Sequence, residues 1–198
     1  MIKDFYYRKS VHPKEEDIAF EFKGHRSLID EEVPRLSKEG DRPCRQPVSK
    51  YACGMINSQK GGIIHLGVLD DGTIEGVTLT KFQQDHIRIS VQDMFNRYEP
   101  RVPMHLYHVM FKPVIDELWE LKAISDFNDQ YTCPVPDRTT KHMIQTLSHC
   151  WCDADANAAF SHGRLNPSYI VEIWIYPWDS SDERNQELFQ VQNKVRST

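Results

Sequence analysis

The stretch that most constrains the chain is residues 51–77, YACGMINSQKGGIIHLGVLDDGTIEGV. Just before and within it, Val48, Tyr51, Ala52, Met55 and Ile56 recur at i, i+3, i+4, i+7 and i+8. That is the spacing of an apolar helix face. Pro47 suits the first helical position, where its missing N–H is no loss. Gln59-Lys60-Gly61-Gly62 stops the helix. The apolar run 63–68 predicts a buried strand, and residues 73–77 its returning partner across a two-residue Asp71-Gly72 turn. The acidic tip, Asp70-Asp71, is then either part of a plain turn or the source of a carboxylate aimed into a metal site.

Along the rest of the chain, residues 1–17 are polar and charged and read as an arm or cap. Residues 18–23 alternate, with Ile18, Phe20 and Phe22 against Glu21 and Lys23, which predicts a strand. Residues 24–47 read as a long loop with room for one short helix. Thr80 and Gln83 form a capping box for a second helix with Ile87, Val91, Met94, Phe95 and Tyr98 on one face. Pro100 and Pro103 end it. Residues 104–114 and 169–176 predict two further strands, separated by about fifty irregular residues rich in cysteine and histidine. Helices mixed with short hairpinned strands imply an α+β fold, with a mixed or antiparallel sheet and packed helices.

At 198 residues the chain can bury a core of its own. Its 27% charged and 39% apolar content is ordinary for a globular domain. The net charge of −5 argues against a surface that binds nucleic acid everywhere, but not against a local basic groove. No apolar run nears the roughly 20 residues of a membrane span. The opening residues lack the apolar core of a signal peptide. Five scattered cysteines fit a reducing compartment. The expected location is cytoplasmic, with the nucleus as the alternative.

Glu16 and Glu21 flank the first predicted strand, and Asp70 and Asp71 lie just past another. If these strands are neighbours, three carboxylates meet at one end of a sheet, where they repel unless a cation neutralises them. An all-oxygen set suits Mg²⁺ or Mn²⁺, with the carboxyl groups within about 5 Å of one another. Such an ion polarises a phosphoryl oxygen and activates water. Lys23, two residues past Glu21, shares its strand face and is placed to steady developing negative charge. Arg26, Arg35, Lys38, Arg42, Arg45 and Lys50 lie near in sequence and are candidate phosphate contacts, or else a solvated loop face. Cys133, His149, Cys150 and Cys152, with His142 or His162, offer nitrogen and sulfur ligands for zinc, though their spacing matches no common zinc module. His65 reads as a packed or edge histidine, and Trp151, Trp174 and Trp178 as packing or interface residues.

Three motifs follow one another along the chain: Glu16-x-x-x-x-Glu21-Phe22-Lys23; Met55-Ile56-Asn57-Ser58-x-x-Gly61-Gly62; and Ile63-Ile64-His65-Leu66-Gly67-Val68-x-Asp70-Asp71-Gly72-x-Ile74-x-Gly76. In this order they resemble the core of the Schlafen domain, the AlbA-type module whose vertebrate members include RNA endonucleases. The resemblance covers roughly residues 14–114, resumes at 169–177, and returns faintly at 188–198, where Arg196-Ser197-Thr198 resembles the family's closing strand. It implies one Schlafen-type domain over residues 1–198, with an irregular insertion at about 115–168. It also implies a metal-dependent endoribonuclease, or a subunit of one, acting on tRNA, rRNA or small-RNA precursors. The matching catalytic positions are Glu16, Glu21 and Asp70, with Glu15 an alternative to Glu16. Two such lobes form an RNA cradle in the family's nucleases, so a homodimer or a heteromer with another Schlafen-like subunit is implied. The family's zinc slots fall here at His105-Leu106-Tyr107 and Tyr176-Pro177, which lack the thiols to hold that zinc. The rival expectation is a non-catalytic scaffold or RNA-binding subunit whose insertion holds a protein partner.

Overall fold

The computed structural model describes residues 4–25, 48–130, 141–144, 150–161, 167–179, 181–185 and 192–193, with the backbone alone for 127–130 and 192–193. Strand β3 (Gly62–Leu66) lies inside the sheet, one strand from its β2 edge. It pairs parallel with β2 (Phe20–Lys23) and antiparallel with β7 (Ser168–Ile175). Strand β7 pairs antiparallel with β6 (Tyr107–Ile115), and β6 pairs parallel with β1 (Tyr6–Tyr7). The order is β1-β6-β7-β3-β2, and the two-residue β4 (Val77–Thr78) also joins β7. A separate pair links β5 (Tyr98–Glu99) to β8 (Gln192–Asn193). The architecture is α+β, as the mixed periodicity implies.

The near-continuous apolar run of β7 is explained by burial on both faces. On one face Tyr169, Val171, Ile173 and Ile175 join Ile64 and Leu66 of β3 in the main core. The helices α1 (Val48–Asn57) and α2 (Lys81–Asn96) bring Ala52, Met55, Ile56, Ile87, Val91 and Phe95 to that core. Thr80 caps α2 in a reciprocal box with Gln83, as expected. On the other face Tyr6, Phe22, Val68, Ile74, Val114 and Ile170 form a smaller cluster. Glu172 is buried there, with both oxygens used: the Tyr6 hydroxyl donates to Oε1 at 2.7 Å and Trp174 Nε1–H to Oε2 at 2.8 Å. Burial, and next the Glu172 carboxylate, push the Tyr6 phenol far above its ordinary range.

Five expectations are corrected. Residues 73–77 do not return as a strand on β3, whose partners are β2 and β7; the isolated bridge Val68–Ile74 closes the turn, and Val77–Thr78 joins β7. The N-terminal arm is part of the sheet: after β1, Lys9 and His12 donate their N–H groups to the carbonyls of Ile74 and Gly72 at 2.8 Å each. Its polar composition hid two inward-facing rings, Tyr6 and His12. The acidic turn has three residues, not two: Leu69 N–H reaches Thr73 O at 2.9 Å and Gly72 N–H reaches Leu69 O at 2.8 Å. Gly72 takes φ +81°, the left-handed residue that such a three-residue loop requires. The stretch expected to extend from 104 opens as a 3₁₀ turn (Met104–Leu106) before β6 starts. The insertion also holds regular structure, α3 (Glu120–Gln130) and α4 (Trp151–Ser161). Helix α4 is alanine-rich and buries only Cys152 and Ala156, so no apolar stripe marks it. Most of the expected 24–47 loop lies outside the described residues.

His65 is packed, as expected, with its ring 4.5 Å from that of His12 and 5.5 Å from that of Phe22. Burial first, and His12 second, lower its pKa from 6.5 to about 3. The folded chain therefore keeps His65 neutral where the unfolded chain takes a proton. Stability from this group is present above the unfolded value and is lost as pH falls from 6.5 towards about 3. The slope is at most about 1.4 kcal/mol per pH unit. Urea melts at about pH 7 and about pH 5 should show a smaller loss for His65→Leu than for wild type. Equal losses would show that the ring does not stay neutral.

Candidate functional site

Strand β2 is the edge of the sheet beyond β3, and its outward backbone groups need partners. Glu16 supplies one: its Oε1 accepts the Phe22 N–H at 2.7 Å. Asp17, beside it, accepts from Ala19 and Phe20 N–H at 2.6 and 2.9 Å and holds the approach to the strand. Glu21 and Lys23 alternate with Phe20 and Phe22, so they lie on the α1 side while the two rings face His65. There Glu21 and Lys23 form an ion pair, with only 7% and 17% of their side chains exposed. Tyr51 of α1 completes the group. Its hydroxyl donates to Glu21, and Lys23 Nζ sits 4.8 Å from its ring centre.

The electrostatics follow from that burial. Desolvation raises the Glu21 pKa, Lys23 opposes the rise, and the negative charge of Glu16 adds to it. Tyr51 is raised as well, by burial first and then by Glu21. Asp70 belongs to the neighbouring turn and is exposed. The turn abuts the end of β2: Gly67 N–H donates to Lys23 O at 2.6 Å, and a β-carbon on Gly24 would stand 2.9 Å from Leu69 Cδ2. Asp71 is the turn residue, accepting the Thr73 N–H at 2.8 Å, a bond that holds its carboxyl below the usual range. Glu16, Glu21 and Lys23 are thus brought together, with Asp70 on the adjoining turn. Among the described residues, the three carboxylates are not a group whose oxygens all lie within reach of one ion.

Of the candidate phosphate contacts, Lys50 is exposed on α1, while Arg26, Arg35, Lys38, Arg42 and Arg45 lie outside the described residues. So do Cys133, His149 and His162. The family's zinc slots do adjoin, Tyr176 N–H donating to Leu106 O at 2.9 Å. They offer one imidazole, His105, which is engaged with Asn185 Oδ1 at 2.7 Å.

A different set of soft ligands converges elsewhere. His86, His142, Cys150 and Cys152 place one ligand atom each within 4.8 Å of all the others, so this group could hold a metal ion. Cys150, Cys152 and His142 are among the residues singled out from the sequence, and His86 is not. It sits on α2, in line with buried Gln83 and Ser90 at helical spacing. That polar stripe beside an apolar one is the only local sign of it.

Removing the lysine beside Glu21 should expose how the edge is balanced. Lys23→Met leaves a buried carboxylate without its cation, a loss of about 3 kcal/mol at neutral pH if no relaxation occurs. The Glu21 pKa rises further, so the variant regains part of that loss as pH falls and the carboxyl is protonated. Denaturation at about pH 7 and about pH 5 checks this, and a loss that is the same at both would contradict the pairing.

Helix α1, the glycine pair, β3 and the acidic turn stand in the order that the Schlafen resemblance implies, against the edge strand that bears Glu21 and Lys23. A family model described as Schlafen, AlbA_2 matches residues 16–144, well over half of the chain. The match begins at Glu16 and runs through β2, β3 and β6. With fold, motif order and family model in agreement, the chain belongs to the Schlafen AlbA_2 family.

Proposed function

We propose that the chain is a divalent-metal-dependent endoribonuclease, or the catalytic subunit of one, acting on structured RNA such as tRNA, rRNA or small-RNA precursors. One observation carries the reading: Glu21 is held desolvated beside Lys23 and Tyr51 at a sheet edge, with the Glu16 carboxylate near enough to raise its pKa. Carboxylates kept in each other's field at a solvent-facing edge fit an oxygen-ligand site for Mg²⁺ or Mn²⁺. Glu16, Glu21 and Asp70 would hold the ion, which when bound supplies Lewis-acid polarisation of the phosphoryl group and an activated water. Lys23 neutralises charge that develops on the phosphate as the bond breaks. Tyr51 fixes the Glu21 carboxylate by its hydroxyl bond. Lys50 lies on the exposed side of the same helix and can meet an RNA phosphate without reading sequence. A second copy, or a related subunit, would supply the other wall of the RNA groove, as in the family's two-lobed nucleases.

A specific observation favours a second reading, a non-catalytic scaffold or RNA-binding subunit. Lys23 already neutralises Glu21, and the three carboxylates are not gathered for one ion among the described residues. Incubating a folded tRNA-sized RNA with the purified chain and Mn²⁺ or Mg²⁺ separates the two. The nuclease reading expects cleavage that EDTA abolishes and that Glu21→Ala lowers about a hundredfold or more. RNA bound but left whole, alone and with a co-purified partner, favours the scaffold. Cleavage unaffected by Glu21→Ala overturns the proposed site.

A further inference from the structure

Helix α4 and the short segment 141–144 meet helix α2 at the His86, His142, Cys150 and Cys152 group. Cys152 Sγ lies 3.4 Å from His86 Nδ1, and Cys150 Sγ lies 3.5 Å from His142 Nδ1. In a tetrahedral zinc site the bond lengths of about 2.3 Å to sulfur and 2.0–2.1 Å to nitrogen set the S···N edge at about 3.6 Å. Both S···N distances match that edge. No two ligand atoms of the group are more than 4.8 Å apart, so a movement of about 1 Å closes it to tetrahedral edges. Two sulfurs and two nitrogens are the donor set that selects zinc over the hard cations suited to carboxylates.

The surroundings are those of a closed structural site. Cys150 and Cys152 are 2% and 0% exposed and His86 is 7% exposed, so water has little access. The Met143 N–H points at Cys150 Sγ at 3.4 Å, a contact that steadies a thiolate ligand. The His142 ring stacks on Trp151 at 4.8 Å, and Phe82 of α2 packs edge-on against that same indole. Gln83 Nε2–H donates to Asp153 Oδ1 at 2.8 Å, a second tie between α2 and α4 beside the cluster. Both sulfurs lie at the N-terminus of α4, where the helix dipole favours anionic ligands.

We propose that His86, His142, Cys150 and Cys152 form a four-coordinate zinc site that fastens the insertion, through segment 141–144 and α4, onto α2. This site is independent of the nuclease reading and differs from the family's zinc slots at His105 and Tyr176. Its role is structural, because four protein ligands leave no open position for substrate.

The test is metal analysis of the full chain purified without chelator, followed by exchange of the bound ion for Co²⁺. About one zinc per chain is expected, with Co²⁺ giving thiolate charge-transfer absorption and the intense visible bands of a tetrahedron. Cys150→Ser with Cys152→Ser, or His86→Ala alone, should lower the bound zinc about tenfold. Cys133→Ser and His149→Ala should retain it. Since losing a ligand can unfold a metal-fastened helix, His86→Cys is the control. It keeps four ligands, should bind zinc, and should add thiolate absorption in the Co²⁺ form. Chelation should also speed proteolysis within residues 141–161 ahead of the sheet. The proposal is overturned if the chain takes up neither zinc nor Co²⁺ at stoichiometry. It is equally overturned if Cys133→Ser or His149→Ala loses the metal while His86→Ala keeps it.

Discussion

A β-carbon on Gly62 would stand 2.6 Å from Met55 Sδ and 2.8 Å from the Ala19 carbonyl, and one on Gly61 would stand 2.3 Å from the Ile175 carbonyl. Real side chains do not fit at either place, so the glycine pair sets how closely α1 and the rims of β2 and β7 approach the start of β3. Gly61 also takes φ +69°, which any other residue adopts only under strain. Much of the site follows from that closeness. With α1 pressed to the sheet, Tyr51 reaches over β2 to Glu21 and Lys23. A longer or bulkier turn would lift the helix, hydrate the ion pair and relieve the burial that raises the Glu21 pKa.

The chain separates hard from soft ligands. Carboxylates sit at the β2 edge and its adjoining turn, while imidazoles and thiols sit between α2 and α4. Hard divalent cations prefer oxygen and zinc prefers nitrogen and sulfur, so two ions would sort themselves without competing. The two places also differ in exposure. Glu16 and Asp70 are open to solvent and to a large ligand, whereas the cysteines are enclosed. An open oxygen site suits chemistry on a polymer, and a closed sulfur site suits holding a fold together.

Much of this was legible in the sequence, for physical reasons. Helical spacing from Val48 to Ile56, the Thr80–Gln83 box and the alternation around Phe20 and Phe22 are local patterns, and each produced its element. Lys23 was placed beside Glu21 because residues two apart share a strand face. What stayed hidden depends on distant contacts. Tyr6 pairs with Val114 across more than a hundred residues, so its strand looked like a polar arm. Tyr51 read as a core residue, and only the docking of α1 turns its hydroxyl to Glu21. His86 was not singled out, because only the packing of α4 on α2 brings two sulfurs to it. Helix α4 escaped notice because its alanines favour a helix without marking a buried face.

The central claim is that the acidic end of β2 and the adjoining turn take one hard divalent ion. Mn²⁺ binding to the zinc-loaded full chain, followed by the electron paramagnetic resonance of the unbound ion, tests it most directly. The account predicts one saturable site that Asp70→Asn weakens about tenfold or more, because a carboxylate ligand is lost. Saturable binding that Asp70→Asn leaves unchanged, or no saturable binding at all, would contradict it.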